Sequence, residues 1–376
     1  MDAAVIVIGG GLAGLTASLE LARAGVEVLV MEKRSYPVHK VCGEYVSNEV
    51  RPYLQSLGVD VAGLGAKSIG RLAVSSPAGK ILEAPLRSGG FGISRYLLDN
   101  ALCQLCLAAG VRFLLNTSVS QVHPTNKGFR VQTAHGDFYE STYLIGAYGK
   151  RSNLDIKQNR SFTRKPSPYM AVKYHVRYDQ PEDLIALHNF KGGYGGISAI
   201  EDGKYCFCYL TERSNLRDSG GSIARLEYEV LGRNPCLRRI FSEAEFLYRQ
   251  PLVINEISFR KKNCVEDGIL MAGDTAGLIT PLCGNGMAIA IHAAKILSAL
   301  IVRSVNGELA GTGLESEYRR QWRRAFGMRL AAGRIIQAAF GRESLTDTVL
   351  AFLGNAPGLT REIIGLTHGN DILQKK

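Results

Sequence analysis

The sequence lacks the long, uninterrupted apolar run and the leader pattern that would indicate a membrane or secreted protein. Its first apolar run ends in glycines, so no early segment has the charged, then apolar, then small-residue layout of a signal peptide. The longest apolar stretch, Gly268–Val302, contains polar residues that argue against a transmembrane helix. They are Asp274, Asn285, His292 and Lys295. We therefore expect a cytoplasmic protein.

Cysteine spacing that would indicate a metal site or a disulfide framework is also missing, although the chain has eight cysteines. Cys103 and Cys106 have C-x-x-C spacing inside a helical pattern, with no second pair at a suitable distance. Cys206 and Cys208 alternate in an apparent strand. The pattern predicts reduced core cysteines and no metal site.

Acidic residues are in deficit, because 45 Lys and Arg stand against 34 Asp and Glu for a net charge of +11. Seven arginines lie between Glu317 and Arg342, interleaved with apolar residues at near-helical spacing: Trp322, Phe326, Leu330, Ile335 and Phe340. This predicts a C-terminal helix that packs on the body and exposes a basic face. Peripheral contact with an anionic membrane, or with an acidic carrier, is the alternative. No nucleic-acid-binding module accompanies the charge.

The N-terminal segment contains a glycine pattern typical of dinucleotide binding. Ala4–Ile8 is a short β-branched run that predicts a buried parallel strand. Gly9, Gly11 and Gly14 follow with G-x-G-x-x-G spacing. The first glycine permits a tight turn, the second lets the backbone approach a pyrophosphate, and the third lets a helix pack on the strand.

The residues after the glycines complete the dinucleotide-binding unit. Leu12–Ala24 is predicted to form a helix whose N-terminal amides can bind phosphate oxygens. Val26–Met31 predicts the second strand, and Glu32 follows at its carboxyl end, where a carboxylate can bind ribose hydroxyls. Strand, glycines, helix, strand and acid in this order predict a dinucleotide cofactor.

Later segments alternate between buried and half-buried patterns. A helix at Arg95–Ala109 and a strand at Val111–Leu115 are followed by a predicted hairpin and a buried strand at Tyr143–Gly146. Residues 161–259 have alternating, aromatic-rich runs that predict an antiparallel sheet. The buried strand-and-loop pattern then returns near residue 264. With 376 residues and no repeat or linker, the chain is predicted to contain a discontinuous cofactor domain with a β-rich insert.

The returning segment indicates which dinucleotide binds. Asp274 follows a strand, Pro281 lies seven residues on, and Gly284 and Gly286 precede a long apolar helix. The Asp can accept hydrogen bonds from a polyol, and the glycine-rich helix start can stabilise negative charge on a reduced ring. FAD needs this second binding region because its ribityl chain and isoalloxazine extend beyond the pyrophosphate. The chain has no second glycine fingerprint for NAD(P)H. We therefore expect NAD(P)H to bind transiently as the reductant, and a protein electron donor is the alternative.

Five motifs spread over most of the chain carry a family resemblance: GGGLAG with Glu32, KVCGE at Lys40–Glu44, SRYLLD, YLIGAYG and GDTAGLITPLCGNG. They resemble the geranylgeranyl reductase-like family of FAD-dependent oxidoreductases, within the superfamily of aromatic hydroxylases and flavin halogenases. The resemblance implies an α/β fold with a discontinuous, glutathione-reductase-like FAD-binding Rossmann domain. An inserted antiparallel β-sheet substrate domain and C-terminal helices complete it.

The predicted domain boundaries and site residues follow from these motifs. Residues 1–75, 95–160 and 264–310 are assigned to the FAD-binding domain, 76–94 and 161–263 to the substrate domain, and 311–376 to the C-terminal helical segment. Besides the glycines at 9, 11, 14 and 284, the resemblance implies FAD contacts at Glu32, Lys33, Cys42, Arg95, Val119, Asp274, Gly286 and Met287.

The sequence departs from the family pattern in two motifs. Tyr148 occupies the position of the usual Asp in GADG, which removes a carboxylate near the pyrophosphate. The aromatic-rich substrate signature Y-x-W-x-F-P is reduced to Tyr194 in GGYGG, so an isoprenoid substrate does not follow directly. The paired tryptophans of the halogenases are absent, since Trp322 is the one tryptophan of the chain.

Cys42 and Tyr194 are the candidate catalytic residues, because a thiol or a phenol near the flavin could relay a proton. Packing against the ring is the alternative for Cys42, and lining the cavity is the alternative for Tyr194. Glu44 is predicted either to cap or salt-bridge near Lys40 or to act as an acid. His39 is expected in a surface loop and His292 in the core.

The leading functional hypothesis is reduction or dehydrogenation of carbon–carbon bonds in a hydrophobic or carrier-bound small molecule. Monooxygenation of an aromatic or polyene substrate through a C4a-hydroperoxide is the alternative on the same scaffold. A non-catalytic FAD-binding protein is the alternative of another class.

Overall fold

The computed structural model describes residues 1–278, 284–339, 346–347, 350, 352, 356–365, 369 and 371–373. Its strands are β1 (Ala3–Ile8), β2 (Val28–Met31), β3 (Tyr45–Ser47), β4 (Lys67–Ser75), β5 (Ile81–Gly92), β6 (Arg112–Leu114), β7 (Val119–Thr125), β8 (Gly128–Thr133), β9 (Phe138–Gly146), β10 (Tyr169–Arg177), β11 (Leu184–Phe190), β12 (Gly193–Ala199), β13 (Tyr205–Glu212), β14 (Glu245–Phe246), β15 (Leu252–Ile257), β16 (Val265–Glu266) and β17 (Ile269–Met271).

The α-helices are α1 (Leu12–Arg23), α2 (Arg51–Ser56), α3 (Arg95–Ala108), α4 (Asn153–Lys157), α5 (Arg213–Asp218), α6 (Ile223–Glu229), α7 (Pro235–Glu243), α8 (Gly286–Val305), α9 (Gly311–Ala339) and α10 (Pro357–Gly365).

The first sheet has five parallel strands in the order β17-β9-β1-β2-β6, with β16 antiparallel at one edge. Strand β1 pairs with β2 at Val5↔Val28 and with β9 at Val5↔Tyr143. Strands β1 and β2 are almost wholly buried, which explains why they are apolar without alternation. The predicted strand–helix–strand unit is confirmed, although the second strand begins at Val28 rather than at residue 26.

Strand β9 contains both the second strand of the predicted hairpin and the predicted buried strand at Tyr143–Gly146. It is one nine-residue strand. Its first half pairs antiparallel with β8, at Phe129↔Ser141, and its second half pairs parallel with β1, at Ile8↔Gly146. No turn residue separates the two halves, so a single strand joins the β7–β8 hairpin to the parallel sheet.

The second sheet has the order β14-β10-β13-β12-β11-β4-β5-β3, and β15 also pairs with β10. Its pairs are antiparallel except β11 with β4, and this confirms the antiparallel sheet predicted in the insert. Strands β3 and β4 fall in the range 1–75 assigned to the FAD-binding domain, yet they pair in this sheet. The chain therefore crosses between the two layers earlier than the predicted boundary.

Helix α8 lies in the core against α1 and α9. Among the described residues it is the one helix long and apolar enough to cross a membrane by length and composition. Much of that apolar surface faces protein, since Ile291, Ala294 and Leu297 are fully buried. Packing against α1 therefore accounts for the hydrophobicity of α8.

Helix α9 contains most of the arginine-rich segment, whose residues 340–342 lie outside the described part of the chain. Trp322 and Phe326 are buried, as predicted for the packed face. Two residues depart from that prediction. Arg329 is buried in an ion pair with Glu49 instead of facing solvent, and the Ile335 side chain is 72% exposed.

The seven cysteines in the described residues are free thiols. Cys103 and Cys106 lie on the buried side of α3, and the Cys106 thiol donates to the Leu15 carbonyl oxygen at 3.2 Å. Burial raises the pKa of Cys103 to about 11 and that of Cys106 to about 12, so both thiols stay protonated at neutral pH. The C-x-x-C spacing therefore places both cysteines on the buried side of α3, where they pack in the core.

The buried His188 should make the stability of the protein depend on pH. This buried histidine of β11 lies 2.9 Å from the Ser75 hydroxyl through Nδ1, and burial lowers its pKa to about 4. The unfolded chain has the higher pKa and takes up the proton first as pH falls, so stability is lost between about pH 6.5 and pH 4. When the pH falls from about 7 to about 5, the unfolding free energy of the wild-type protein should decrease by about 2 kcal/mol more than that of the His188→Gln variant. Urea unfolding at both pH values measures this, and parallel losses in the two proteins would contradict it.

Candidate cofactor and active site

A cavity of about 820 Å³ lies where the two sheets meet, beside the carboxyl ends of β1, β2 and β9. Except for Gly14, the predicted cofactor and catalytic residues all line it: Gly9, Gly11, Glu32, Lys33, Cys42, Arg95, Val119, Tyr194, Asp274, Gly284, Gly286 and Met287. These residues come from both sheets and from the starts of α3 and α8. The fold thus brings distant motifs to one place, although their individual roles stay predictions.

The glycine loop has the geometry that a bound pyrophosphate needs. Gly9 has φ +104°, and a Cβ there would lie 2.4 Å from the Ala147 carbonyl oxygen. A Cβ on Gly14 would lie 2.0 Å from the Gly9 carbonyl oxygen, so this glycine allows α1 to pack on β1 and does not line the cavity. A Cβ on Gly11 would meet only two cationic side chains, Arg95 at 3.6 Å and Lys40 at 4.0 Å.

These two cations are held in place by a buried acid. Arg95 forms a bidentate pair with Asp99 at 2.6 and 2.8 Å, and Lys40 lies 3.0 Å from the same carboxylate. Asp99 is fully buried. Two positive groups beside a helix N-terminus form an anion-binding site of the kind that phosphate requires. The sequence analysis missed Asp99, although its i,i+4 spacing from Arg95 on a helix was a usable signal.

Glu32 lies at the end of β2 with 6% of its surface exposed. One carboxylate oxygen accepts from the Gly10 amide at 2.7 Å, and the other accepts from the Arg34 amide at 3.1 Å. Each carboxylate oxygen has a second lone pair, so ribose hydroxyls can still donate to it. Lys33 and Val119 line the same cavity. The residues present therefore fit the adenosine end of FAD.

The second predicted binding region, formed by Asp274 and the start of α8, also fits FAD. Asp274 lines the cavity within the 3-10 turn Gly273–Thr275, and α8 begins nearby with Gly286 and Met287. Lys262 supports the turn, because its ammonium donates to the backbone oxygens of Asp274 at 2.7 Å and Lys150 at 2.8 Å. Burial lowers the pKa of Lys262 to about 8. Pro281, which belongs to the same predicted motif, lies outside the described residues.

Tyr148 lines the cavity at the position where the family usually has Asp. Its hydroxyl donates to Gln158 Oε1 at 3.3 Å, and burial raises the pKa of the phenol well above its usual range. The residue is therefore neutral at physiological pH.

The second sheet contributes mostly aliphatic side chains to the cavity: Ala171, Ile185, Leu187, Leu210, Leu252, Val253, Ile254 and Ile257. Leu278 joins them from beyond the 3-10 turn, and Ser198, Cys208 and Asn255 line the cavity from the same sheet. Cys42 is half-buried, and Tyr194 on β12 is 4% exposed. The structure therefore brings both candidate catalytic residues to a cavity lined by glycines, by charged side chains and by aliphatic side chains.

Glu44 follows the first of its two predicted roles, because it caps the start of α3 and forms a salt bridge, although with Lys173 and not with Lys40. Its fully buried carboxylate lies 2.5 Å from the Lys173 ammonium and 2.6 Å from His175 Nε2, and it accepts from the Arg95 amide at 2.8 Å. Burial favours the neutral acid, but Lys173 and His175 outweigh it and lower the pKa of Glu44 to about 2. Glu44 is therefore ionised and is not a general acid.

Two histidines can be compared with their predictions. His39, expected in a surface loop, lines the cavity, stacks on Tyr96 with ring centroids 4.6 Å apart, and contacts His175 edge-on. His39 is therefore half-buried in a loop whose residues 33–35 and 37 are exposed, and its side chain lines the cavity. His292 packs against Phe326 in the core, as predicted, and burial lowers its pKa to about 4.

Glu44, His175 and Cys206 place three possible metal-ligand atoms within 4.8 Å of one another. A cation there would lie beside the Lys173 ammonium, which already pairs with Glu44. Burial also raises the pKa of the Cys206 thiol well above its usual value, whereas metal binding needs the thiolate. We interpret the cluster as an ion-pair network.

Comparison with known proteins supports the assignment of this cavity to FAD. Residues 2–182 match the FAD binding domain family. A digeranylgeranylglycerophospholipid reductase 2 of Methanopyrus kandleri is 24% identical over 87% of this chain and 84% of its own length. A digeranylgeranylglycerophospholipid reductase of Methanothrix thermoacetophila is 24% identical over 91% of this chain and 88% of its own length. The solved structure of a flavin-dependent brominase superposes with a TM-score of 0.81 at 19% identity, covering 98% of this chain and 93% of that one.

The match over residues 2–182 and the fold agree on a glutathione-reductase-like FAD-binding Rossmann domain with an inserted antiparallel sheet, and together with the curated relatives they support a FAD-dependent oxidoreductase. The predicted resemblance to the geranylgeranyl reductase-like family is confirmed by the similarity to the two digeranylgeranylglycerophospholipid reductases, and the similarity to the brominase structure supports the fold.

Proposed function

We propose that the protein uses FAD to reduce or dehydrogenate carbon–carbon bonds of a hydrophobic or carrier-bound molecule. The observation that carries this proposal is that one cavity is lined both by the glycines and cations around the predicted cofactor site and by aliphatic side chains of the second sheet. The curated relatives, named as reductases of digeranylgeranylglycerophospholipids, support an unsaturated lipid chain as the substrate class. The aliphatic wall matches such a chain, because apolar surface binds by exclusion of water.

When bound, FAD supplies two-electron reduction chemistry. The protein then has to orient the double bond and provide a proton for the carbon that receives no hydride. Cys42 and Tyr194 are proposed for that proton, since both are protonatable groups that line the cavity. Glu44 is excluded from this role by its ionised state.

Two further parts of the proposal concern partners. NAD(P)H is proposed as the transient reductant, binding in a groove. Contact with an anionic membrane is proposed for the exposed face of α9, where Arg323 and Arg324 lie near the exposed Met328. Such contact would give access to a lipid substrate.

An anaerobic transfer experiment tests the reaction. The reduced holoprotein is mixed with a digeranylgeranylglycerophospholipid in detergent micelles, and the visible absorbance of oxidised FAD is followed. We expect the absorbance to return and the lipid to gain one dihydrogen per reduced double bond by mass spectrometry. Replacing Cys42 by Ala or Tyr194 by Phe should slow the transfer by about 100-fold, the contribution of a positioned proton donor.

Monooxygenation is tested by mixing the same reduced protein with oxygen. A transient absorbing species that precedes reoxidation, followed by an oxygenated product, would replace the reductase proposal. A holoprotein that neither transfers electrons to the lipid nor oxygenates an aromatic or polyene compound would contradict both enzymatic proposals.

A further inference from the structure

Residues 40–44, the KVCGE segment, have an unusual pattern of hydrogen bonds. Each of their five consecutive backbone carbonyls accepts a hydrogen bond, and four of the five donors are side chains. The donors, in order along the segment, are Lys173 Nζ at 3.2 Å, Lys150 Nζ at 2.9 Å, Cys206 Sγ at 3.2 Å, Ser198 Oγ at 3.5 Å and the Ile93 amide at 3.1 Å. The segment has no strand or helix of its own at these residues, so these bonds determine its path.

The donors come mainly from the second sheet. Lys173, Ser198 and Cys206 project from β10, β12 and β13, and at most 1% of each is exposed. All five residues of the segment line the cavity, whereas Lys173 and Cys206 do not. The second sheet therefore supports this cavity-lining segment, in part through Lys173 and Cys206, which lie outside the cavity.

Lys173 also belongs to a buried hydrogen-bonded chain that ends at Tyr248. Glu44 accepts from Lys173 at 2.5 Å and lies 2.6 Å from His175 Nε2, while His175 Nδ1 lies 2.9 Å from the Tyr248 hydroxyl. Both ring nitrogens of His175 therefore have a hydrogen-bonding partner, one of them the Glu44 carboxylate and the other the Tyr248 hydroxyl. The Lys173 ammonium and the Glu44 carboxylate form a buried ion pair beside them.

Glu44 occupies a strained position in this chain. Its φ is +55°, in the left-handed region that a residue with a Cβ rarely adopts. A fully buried carboxylate in such a conformation persists only where its surroundings hold it. The Lys173 ammonium, His175 and the Arg95 amide provide that hold, so the ion pair also fixes the backbone at the end of the segment.

We propose that Lys173 and Cys206, together with the Glu44–His175–Tyr248 chain, are positioning residues that hold residues 40–44 in the conformation that receives the flavin. They act through the segment and do not touch the reacting atoms. The inference rests on the proposed FAD site but not on the reaction, because it predicts cofactor affinity. No property of the substrate enters it.

The first test compares two buried ion pairs by replacing the cation of each. Lys173→Met removes a donor to the segment, whereas Arg329→Met breaks the buried pair with Glu49, neither of whose members lines the cavity. Both apoproteins should unfold at lower urea concentration. At a temperature where circular dichroism shows both to be folded, we expect the Kd for FAD to rise at least tenfold in Lys173→Met and to change less than twofold in Arg329→Met. Equal Kd changes in the two variants would overturn the proposal.

The second test uses a milder pair at Cys206. Cys206→Ala removes the donor to the Cys42 carbonyl oxygen, whereas Cys206→Ser keeps a hydroxyl donor. We expect the Kd for FAD to rise about threefold to tenfold in the alanine variant, which is the effect of one hydrogen bond, and to recover in the serine variant. The visible spectrum of the bound flavin should shift in the alanine variant alone. An alanine variant with unchanged Kd and spectrum would contradict the proposal, even if the reaction proved to be oxygenation.

Discussion

Gly11→Val is expected to purify without FAD while its apoprotein remains folded. A Cβ at position 11 meets no backbone atom in the protein and lies 3.6 Å from an Arg95 nitrogen, in the place where the pyrophosphate is proposed to bind. Its φ of −88° lies in a region that valine adopts freely. We expect the Kd for FAD to rise at least about 100-fold, equivalent to about 2.8 kcal/mol. Fluorescence titration of the apoprotein with FAD measures this change.

Gly14→Ala is the matched control, because it lies in the same motif but outside the cavity. Its Cβ would lie 2.0 Å from the Gly9 carbonyl oxygen, so α1 would have to move away from β1. We expect the apoprotein to lose about 1–3 kcal/mol of unfolding free energy, as overpacked cores do. If Gly11→Val instead destabilised the apoprotein as much as Gly14→Ala, or kept its FAD, the assignment of Gly11 to the pyrophosphate would be wrong.

Arg160→Met is expected to produce the largest loss of stability, about 3–5 kcal/mol of unfolding free energy. The Arg160 guanidinium is 2% exposed, pairs with Asp155 on α4 at 2.8 Å and with Glu266 on β16, and donates to the Asn263 carbonyl oxygen at 2.9 Å. Its removal leaves buried carboxylate oxygens without their cation. Urea unfolding of the apoprotein measures the loss.

Arg71→Met provides the exposed counterpart. Arg71 also makes a bidentate pair, with Asp183 at 2.8 Å for both bonds, but its side chain is 43% exposed. Water and salt screen such a pair, so the unfolding midpoint should stay within measurement error. Comparable losses in both variants would show that the buried position of Arg160 does not determine its contribution.

Several elements followed directly from local sequence patterns. The apolar run of β1, the glycine spacing and Glu32 predicted the cofactor unit because each depends on backbone geometry and short spacing. The alternating, aromatic-rich insert likewise predicted an antiparallel sheet. The cysteines at 103 and 106 were assigned to the core from the surrounding helical pattern, and they lie there.

Other features required partners that are distant in the chain. Lys173 and His175 stand two residues apart on a strand with apolar neighbours, which was a signal that both face one side of the sheet. That signal could not name Glu44, which lies 129 residues from Lys173. The choice between the two predicted roles of Glu44, the exposure of His39 and the burial of Arg329 depended on tertiary packing, which local patterns do not specify.

The sequence by itself determined the cofactor class, the mainly parallel and mainly antiparallel sheets, and the segments that meet at the cavity. Those features depend on backbone conformation and periodicity, which neighbouring residues control. Only the tertiary structure decided the ionisation of Glu44, the support of residues 40–44 by the second sheet, and the continuity of β9 across two pairing modes. These depend on desolvation and on charges brought together from remote segments, because electrostatic energy is set by distance and burial in the folded chain.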